Sequence, residues 1–123
     1  MVYLENLWLN ENSIENIKGM DKLKNLKSLY MGKNRIRRVK GLDGLLTLEK
    51  LYLDENLIDH VEGLSNLCRL KILNLAGNRI ENIGMGLDGL ISLEELNISN
   101  NRIGNFKEVL NLNRLPNLRI CTF

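Results

Sequence analysis

The chain repeats one string of residues five times, and this repetition limits the folds that it can adopt. Each string carries a leucine, a second leucine three residues later, an apolar residue two positions on, and an asparagine after three more. The strings begin at Leu4, Leu26, Leu48, Leu70 and Leu93, and the first four are 22 residues apart. A repeat of roughly 20 to 50 residues is typical of a solenoid, in which each turn buries its apolar face against its neighbours.

Alternation within the string predicts a short strand in each repeat. In Leu7-Trp8-Leu9 the two leucines point to one side and Trp8 to the other, because side chains alternate along a strand. One strand per repeat, stacked side by side, gives a curved parallel β-sheet. The sequence therefore predicts an α/β solenoid with this sheet on the concave face and short helical or 3₁₀ segments on the convex face.

An asparagine follows each predicted strand, at the point where the chain turns toward the interior. A buried amide at this corner can bond the backbone groups that the bend leaves without partners, which an apolar side chain cannot do. The sequence thus predicts a structural ladder of buried asparagines along the sheet, formed by Asn12, Asn34, Asn56, Asn78 and Asn101.

Two repeats depart from the regular spacing. One extra residue in Gly84-Met85-Gly86 is expected to form a surface bulge that keeps both flanking repeats in register. Three extra residues in the fifth repeat extend an apolar series that ends before Pro116, and its members are Phe106, Val109, Leu112 and Leu115. Their spacing of three predicts an α-helix over about residues 106–115.

Residues 1–123 are expected to form a single domain, with repeats starting near residues 4, 26, 48, 70 and 93 and a partial one at 118. Solenoids usually need terminal repeats with a polar outer face, because an end repeat otherwise exposes half of its core. The sequence shows no such cap at either end, so we expect the chain to be a fragment of a larger repeat protein.

Charge, hydropathy and cysteine positions indicate which classes of partner and which cellular compartment to expect. The net charge is +2, and basic and acidic residues are interleaved, which argues against direct contact with nucleic acid. No apolar run is long enough to cross a membrane, and the first residues do not resemble a secretory signal. Cys68 and Cys121 fall about three strand spacings apart, too far for a disulfide, which predicts free thiols in a reducing, cytoplasmic compartment.

Residues that would indicate catalysis do not occur in a convincing arrangement. Residues 84–89 spell G-x-G-x-x-G, but they follow no dinucleotide-binding strand and open no long helix. His60 is the only histidine and has no assigned nucleophile beside it, and the acidic residues lack metal-ligand spacing. We expect no catalytic residue, no cofactor, no metal and no small-molecule substrate.

Three of the six aromatic residues fall in one column of outward strand positions, namely Trp8, Tyr30 and Tyr52. Exposed aromatic side chains with a polar edge are common anchors of protein interfaces. Alternatively, the rings merely suit exposed strand positions and shield one another across the sheet. We favour the first interpretation, a protein-binding site on the concave face.

Charged residues beside this column are expected to help select the partner, and Lys33, Asp54 and Glu55 are the candidates. Beyond the asparagine ladder lies a second set of charges, which includes Arg79 and Arg102. This rim is either a basic edge for an acidic segment of a partner or an ordinary solvated surface, and the second interpretation is favoured.

The unit Asn-x-Ile-x-x-Ile-x-Gly, as in residues 12–19, resembles the 22-residue leucine-rich repeat class. That class includes the nuclear regulatory subunit of protein phosphatase 1, the axonemal dynein light chain and ciliary multi-repeat proteins. The resemblance implies a non-catalytic scaffold that binds a protein partner, in a cytoskeletal, ciliary or nuclear setting. Alternatives are a regulatory subunit of a protein phosphatase and a spliceosomal-type repeat protein that acts beside RNA through a partner.

Overall fold

A computed structural model describes residues 3–123. It contains one six-stranded parallel sheet whose strands follow the order of the chain. The strands are β1 (Asn6–Trp8), β2 (Ser28–Tyr30), β3 (Lys50–Tyr52), β4 (Ile72–Asn74), β5 (Glu95–Asn97) and β6 (Ile120–Thr122). The predicted fold class, a solenoid built on a parallel sheet, is confirmed.

Equivalent residues of neighbouring repeats lie side by side in the sheet. Leu29 pairs with Leu51 and Leu51 with Leu73, and all three side chains are buried in one continuous core. The outward column pairs in the same way, with Trp8 beside Tyr30 and Tyr30 beside Tyr52. A shift of one residue would move the leucines to solvent, so burial of the inward face fixes this register.

Each internal ladder asparagine joins its own repeat to the preceding one. The Nδ2 group of Asn56 donates to the carbonyl oxygens of Met31, one repeat earlier, and of Leu53 in its own repeat, at 3.0 and 3.1 Å. Its Oδ1 atom accepts a hydrogen bond from the backbone N–H of Ile36 at 3.0 Å. The same set of bonds recurs at Asn34, Asn78 and Asn101.

The two ends of the ladder differ from the prediction of a buried amide. Asn34, Asn56 and Asn78 are buried, whereas Asn101 is half-buried and Asn12 is exposed. Among the described residues, the amide of Asn12 donates only to carbonyl oxygens of its own repeat. No described strand precedes β1, so the inter-repeat bonds that characterise the other four asparagines have no counterpart there.

The convex segments of the first four repeats are chains of tight turns. In the second repeat the N–H of Leu45 bonds the carbonyl of Leu42, and the N–H of Leu48 bonds that of Leu45, at 3.0 and 3.1 Å. These are the i to i+3 bonds of 3₁₀ geometry. At Gly63, where φ is +74°, a Cβ would collide with the carbonyl oxygen of Val39 in the preceding repeat, so this corner requires glycine.

The fifth repeat contains the helical residues, but the predicted α-helix is wrong over its second half. An α-helix, α1, spans Phe106–Leu110, and a 3₁₀ helix continues over Asn111–Arg114. Pro116 has no N–H to bond the carbonyl of Leu112, which instead accepts from Leu115 at 3.1 Å. The side chains of Phe106 and Val109, which belong to the predicted apolar series, lie outside the described part of the chain.

Glu108 connects the two irregular repeats. Its Oε2 atom accepts hydrogen bonds from the backbone N–H groups of Ile83 and Gly84, at 2.9 and 3.1 Å. These two bonds, with a smaller contribution from Asn111, lower the pKa of the Glu108 carboxyl below its ordinary value. The one-residue bulge in the fourth repeat is thereby held by a side chain of the longer fifth repeat.

Replacement of a central ladder asparagine should be far more damaging than the same replacement at the exposed end. Asn56→Leu leaves the buried N–H of Ile36 without a partner, at about 1 to 3 kcal/mol, and takes one of two amide donors away from the carbonyl oxygens of Met31 and Leu53. We expect a loss of about 3 kcal/mol or more, against about 1 kcal/mol or less for Asn12→Leu. Urea denaturation of both variants measures the difference, and equal losses would contradict the structural role assigned to the buried amides.

The Glu108 bonds should make stability depend on pH. Because the pKa of Glu108 is lowered in the folded state, its stabilising contribution is present at neutral pH and is lost as the pH falls through that lowered value. Glu108→Gln should therefore be less stable than the wild type at pH 7, with the gap narrowing in acid. Denaturation between pH 7 and pH 3 tests this, with the exposed Glu15→Gln as control; a gap independent of pH would contradict it.

Candidate functional site

The three outward aromatic side chains form a continuous stack on the concave face. The ring centroids of Trp8 and Tyr30 are 5.1 Å apart with an angle of 2° between the planes, and those of Tyr30 and Tyr52 are 4.8 Å apart at 13°. Trp8 is 62% exposed, while both tyrosines are half-buried. The in-register strands impose this contact, since the ring separations match the spacing of neighbouring strands. The rings do shield one another, but Trp8 remains largely open to solvent.

A surface depression of about 300 Å³ lies beside the stack, at the ends of the first three strands. Its lining comprises Asn10, Glu11, Tyr30, Gly32, Lys33, Tyr52 and Asp54. Four of the six predicted site residues therefore meet in one place: Tyr30, Tyr52, Lys33 and Asp54. Trp8 joins them through its contact with Tyr30, whereas Glu55 is exposed at the next position of the chain and does not line the depression.

Among the charged residues that line the depression, Lys33 and Glu11 form an ion pair, whereas Asp54 has none within residues 3–123. The Nζ atom of Lys33 lies 3.6 Å from a carboxylate oxygen of Glu11. The carboxylate of Asp54 lies over the buried Gly32, where an added Cβ would be 2.7 Å from its Oδ1 atom. Burial raises the pKa of Tyr52, with further contributions from Tyr30, Glu95 and Asp54. The rings and carboxylates thus share one partly desolvated surface.

One feature of this surface was missed by sequence reasoning. The residue before each ladder asparagine adopts a left-handed backbone, with positive φ at Glu11 (58°), Lys33 (56°), Glu55 (52°), Gly77 (70°) and Asn100 (54°). Glycine and asparagine are the residue types that tolerate this conformation best. Gly77 and Asn100, at equivalent positions of two repeats, were the available signal in the sequence.

The rim beyond the ladder contains a second depression, of about 460 Å³, around Arg37 and His60. Four of its five lining residues are already paired: Arg38 lies 3.4 Å from Glu62, and the His60 ring hydrogen-bonds Asp59 at 2.8 Å, whereas Arg37 forms no ion pair within residues 3–123. The bond from His60 lowers the pKa of Asp59. This pairing supports the interpretation of the rim as a solvated surface.

Other kinds of site find no geometric support in the part of the chain that the structure describes. Within residues 3–123, no three potential metal-ligating side chains come together. No helix in the same range has the length and apolar composition needed to span a bilayer. Cys68 is exposed and Cys121 is half-buried, and both are free thiols.

Three family models match the chain in succession. A model described as leucine rich repeats in two copies matches residues 4–44, one described as leucine rich repeat matches 47–103, and a further leucine rich repeat model matches 92–118. Among curated proteins, none matches the sequence at a significant level.

Several solved structures share the fold. An internalin (inlF) from Listeria monocytogenes is 29% identical, with a TM-score of 0.81 over 94% of this chain and 33% of its own. A leucine-rich repeat protein from Leptospira interrogans is 26% identical, with a TM-score of 0.81 over 93% of this chain and 30% of its own. TLR13, in a complex with ssRNA13, is 31% identical, with a TM-score of 0.89 over 97% of this chain and 18% of its own.

The chain spans about a third or less of the length of each of these three proteins. The likeness therefore concerns the repeat architecture that they have in common. The repeated string, the parallel-sheet solenoid and the succession of family matches show that the chain belongs to the leucine-rich repeat family.

Proposed function

We propose that this chain is a non-catalytic scaffold that binds a protein partner through the concave face of repeats one to three. Trp8, Tyr30 and Tyr52 anchor the partner, and Lys33, Asp54 and Glu55 orient it. The observation that carries the proposal is the aromatic stack that borders a depression of mixed charge. Leucine-rich repeat domains serve as interaction scaffolds, which is consistent with this assignment.

The energetics of the surface favour binding. The stack sits on a hydrogen-bonded sheet, so its residues lose little conformational freedom when a partner docks. Aromatic anchors at the centre of an interface contribute about 2 kcal/mol or more each. An exposed indole of this size, 62% accessible in the free chain, offers a large area for a partner to cover.

The left-handed backbone positions add independent support. A residue other than glycine in this conformation costs about 1 to 2 kcal/mol, and such strain persists most often at functional sites. The fourth and fifth repeats avoid most of the cost with Gly77 and Asn100, whereas the first three repeats keep long charged side chains at Glu11, Lys33 and Glu55. The strained residues are thus concentrated where the aromatic stack lies.

The class resemblance extends the proposal to a cytoplasmic scaffold of the cytoskeleton or cilium. The free thiols of Cys68 and Cys121 are compatible with that compartment. The RNA of the TLR13 complex is not carried over to this chain, because the carboxylates of Glu11 and Asp54 beside the rings would repel a phosphate backbone.

Removal of the three rings should abolish capture of the partner without unfolding the chain. The variant Trp8→Ala/Tyr30→Ala/Tyr52→Ala is compared with the wild type in affinity capture, followed by mass spectrometry of the bound proteins. Because all three side chains point away from the core, circular dichroism should show a folded protein. The matched control, Tyr3→Ala/Phe123→Ala, removes two exposed rings outside the stack and should bind normally.

A different outcome would place the function elsewhere on the molecule. Arg79→Ala/Arg102→Ala should reduce capture only modestly and mainly at low salt, because exposed charges on the rim are screened. If this arginine pair proves essential and the aromatic variant still binds, the concave-face proposal is wrong.

Relief of the backbone strain should raise stability at the expense of binding. Lys33→Asn and Glu55→Asn place a residue that tolerates positive φ where a long side chain now stands, and each should stabilise the chain by about 0.5 to 1 kcal/mol. Thermal denaturation measures the gain, with Lys50→Asn in β3 as a control that lacks positive φ. Loss of stability in both variants would contradict the strain argument.

A further inference from the structure

We propose that the depression beside the tyrosines receives an arginine side chain of the partner, held between the carboxylates of Glu11 and Asp54 and the rings of Tyr30 and Tyr52. This inference rests on the proposed function, because it names the chemistry of the segment that docks on the same surface. It adds a specific occupant, a guanidinium group, and a specific place for it.

The charge of the site calls for a cation. Two carboxylates, of Glu11 and Asp54, and one ammonium group, that of Lys33, line the depression, so negative charge exceeds positive charge there. Lys33 is already 3.6 Å from Glu11. Asp54 has no ion pair with any residue in the range 3–123 that the structure describes. A half-buried carboxylate without a cationic partner is the group that a basic side chain from another molecule would satisfy.

The shape of the site selects a planar cation. Gly32 keeps the floor of the depression free of any side chain, and the carboxylate of Asp54 occupies the space above it. The two tyrosines form the apolar wall of the same depression. Since Trp8 and Tyr52 cover both faces of the Tyr30 ring, the methylene stem of an arginine would lie along the ring edges. Its guanidinium group can bond the Asp54 carboxylate through two N–H groups, which an ammonium group cannot do. The volume of about 300 Å³ leaves room for one such side chain with its methylene stem.

The electrostatics of the wall agree with this assignment. The pKa of Tyr52 is raised, first by burial and then by the negative groups around it, including Asp54 and Glu95. Burial, the largest cause, disfavours a charge of either sign, so only the contribution of the Glu95 and Asp54 carboxylates indicates an attraction for a cation. Salt should weaken the contact, because part of the attraction reaches through solvent.

The inference is tested with the full chain and a defined peptide. The ¹⁵N-labelled protein is titrated with acetyl-Gly-Arg-Gly-amide, and with the same peptide carrying citrulline or lysine in place of arginine. We expect the arginine peptide to bind weakly but specifically and to shift the amide signals of Gly32, Lys33 and Asp54. The citrulline peptide, which has the same shape without the charge, should produce no such shifts, and the lysine peptide should bind several times more weakly.

Variants identify the groups responsible. Asp54→Asn should weaken binding of the arginine peptide about tenfold, since it removes a charge-assisted hydrogen bond. Glu11→Gln, at an exposed position, should weaken it less and serves as a second variant should Asp54→Asn affect folding. Glu81→Gln, an exposed carboxylate beyond the ladder, is the matched control and should bind as the wild type does.

Failure of this inference is distinguishable from failure of the proposed function. Equal binding of the arginine and citrulline peptides, or unchanged binding to both Asp54→Asn and Glu11→Gln, would overturn the arginine site. If the aromatic variant loses the partner while Asp54→Asn retains full capture, the binding surface is right and the arginine assignment is wrong.

Discussion

The hydrogen bonds of the ladder asparagines are the interaction on which the rest of this solenoid depends. Each strand has only three residues, at the short end of the usual range, so the sheet supplies few hydrogen bonds between neighbouring repeats. An amide such as that of Asn56 meets backbone groups of two repeats at once and is buried among them. The corners after strands β2 to β5 are thereby fixed in the same geometry. A regular corner is what keeps equivalent residues of successive repeats aligned.

Because of that alignment, residues at equivalent positions of successive repeats form one continuous surface. A tryptophan and two tyrosines that are 22 residues apart in the chain become neighbours at about 5 Å because the register is constant. The same rule places Gly32 beneath Asp54 and thereby shapes the depression next to the rings. The candidate site needs no insertion into the repeat. Its aromatic residues and its left-handed residues, Glu11 and Lys33, stand at equivalent positions of successive repeats, which the register holds side by side.

The repeat allowed much of this to be predicted from the sequence, whereas details that depend on a particular contact were not predictable. The parallel sheet and the outward position of the aromatic column follow from the alternation of leucines. The helix was predicted too long because the spacing of apolar residues does not show that Pro116 converts its last turn to 3₁₀ geometry. The clamp formed by Glu108 was not foreseen, since nothing in the sequence indicates which backbone groups a bulge will leave open. The strained residues were missed for a similar reason, because lysine and glutamate, as at Lys33 and Glu55, are not residue types that indicate a left-handed backbone.

The position of Trp8 also determines what the intrinsic fluorescence of the protein reports. It is the only tryptophan of the chain, it is largely exposed, and it lies face to face with Tyr30. All tryptophan fluorescence of this protein therefore originates on the concave face. An indole in water emits at longer wavelength than one covered by an apolar surface, so the colour of that emission follows the hydration of the stack. The protein carries its own optical probe at the surface where a partner is expected to dock.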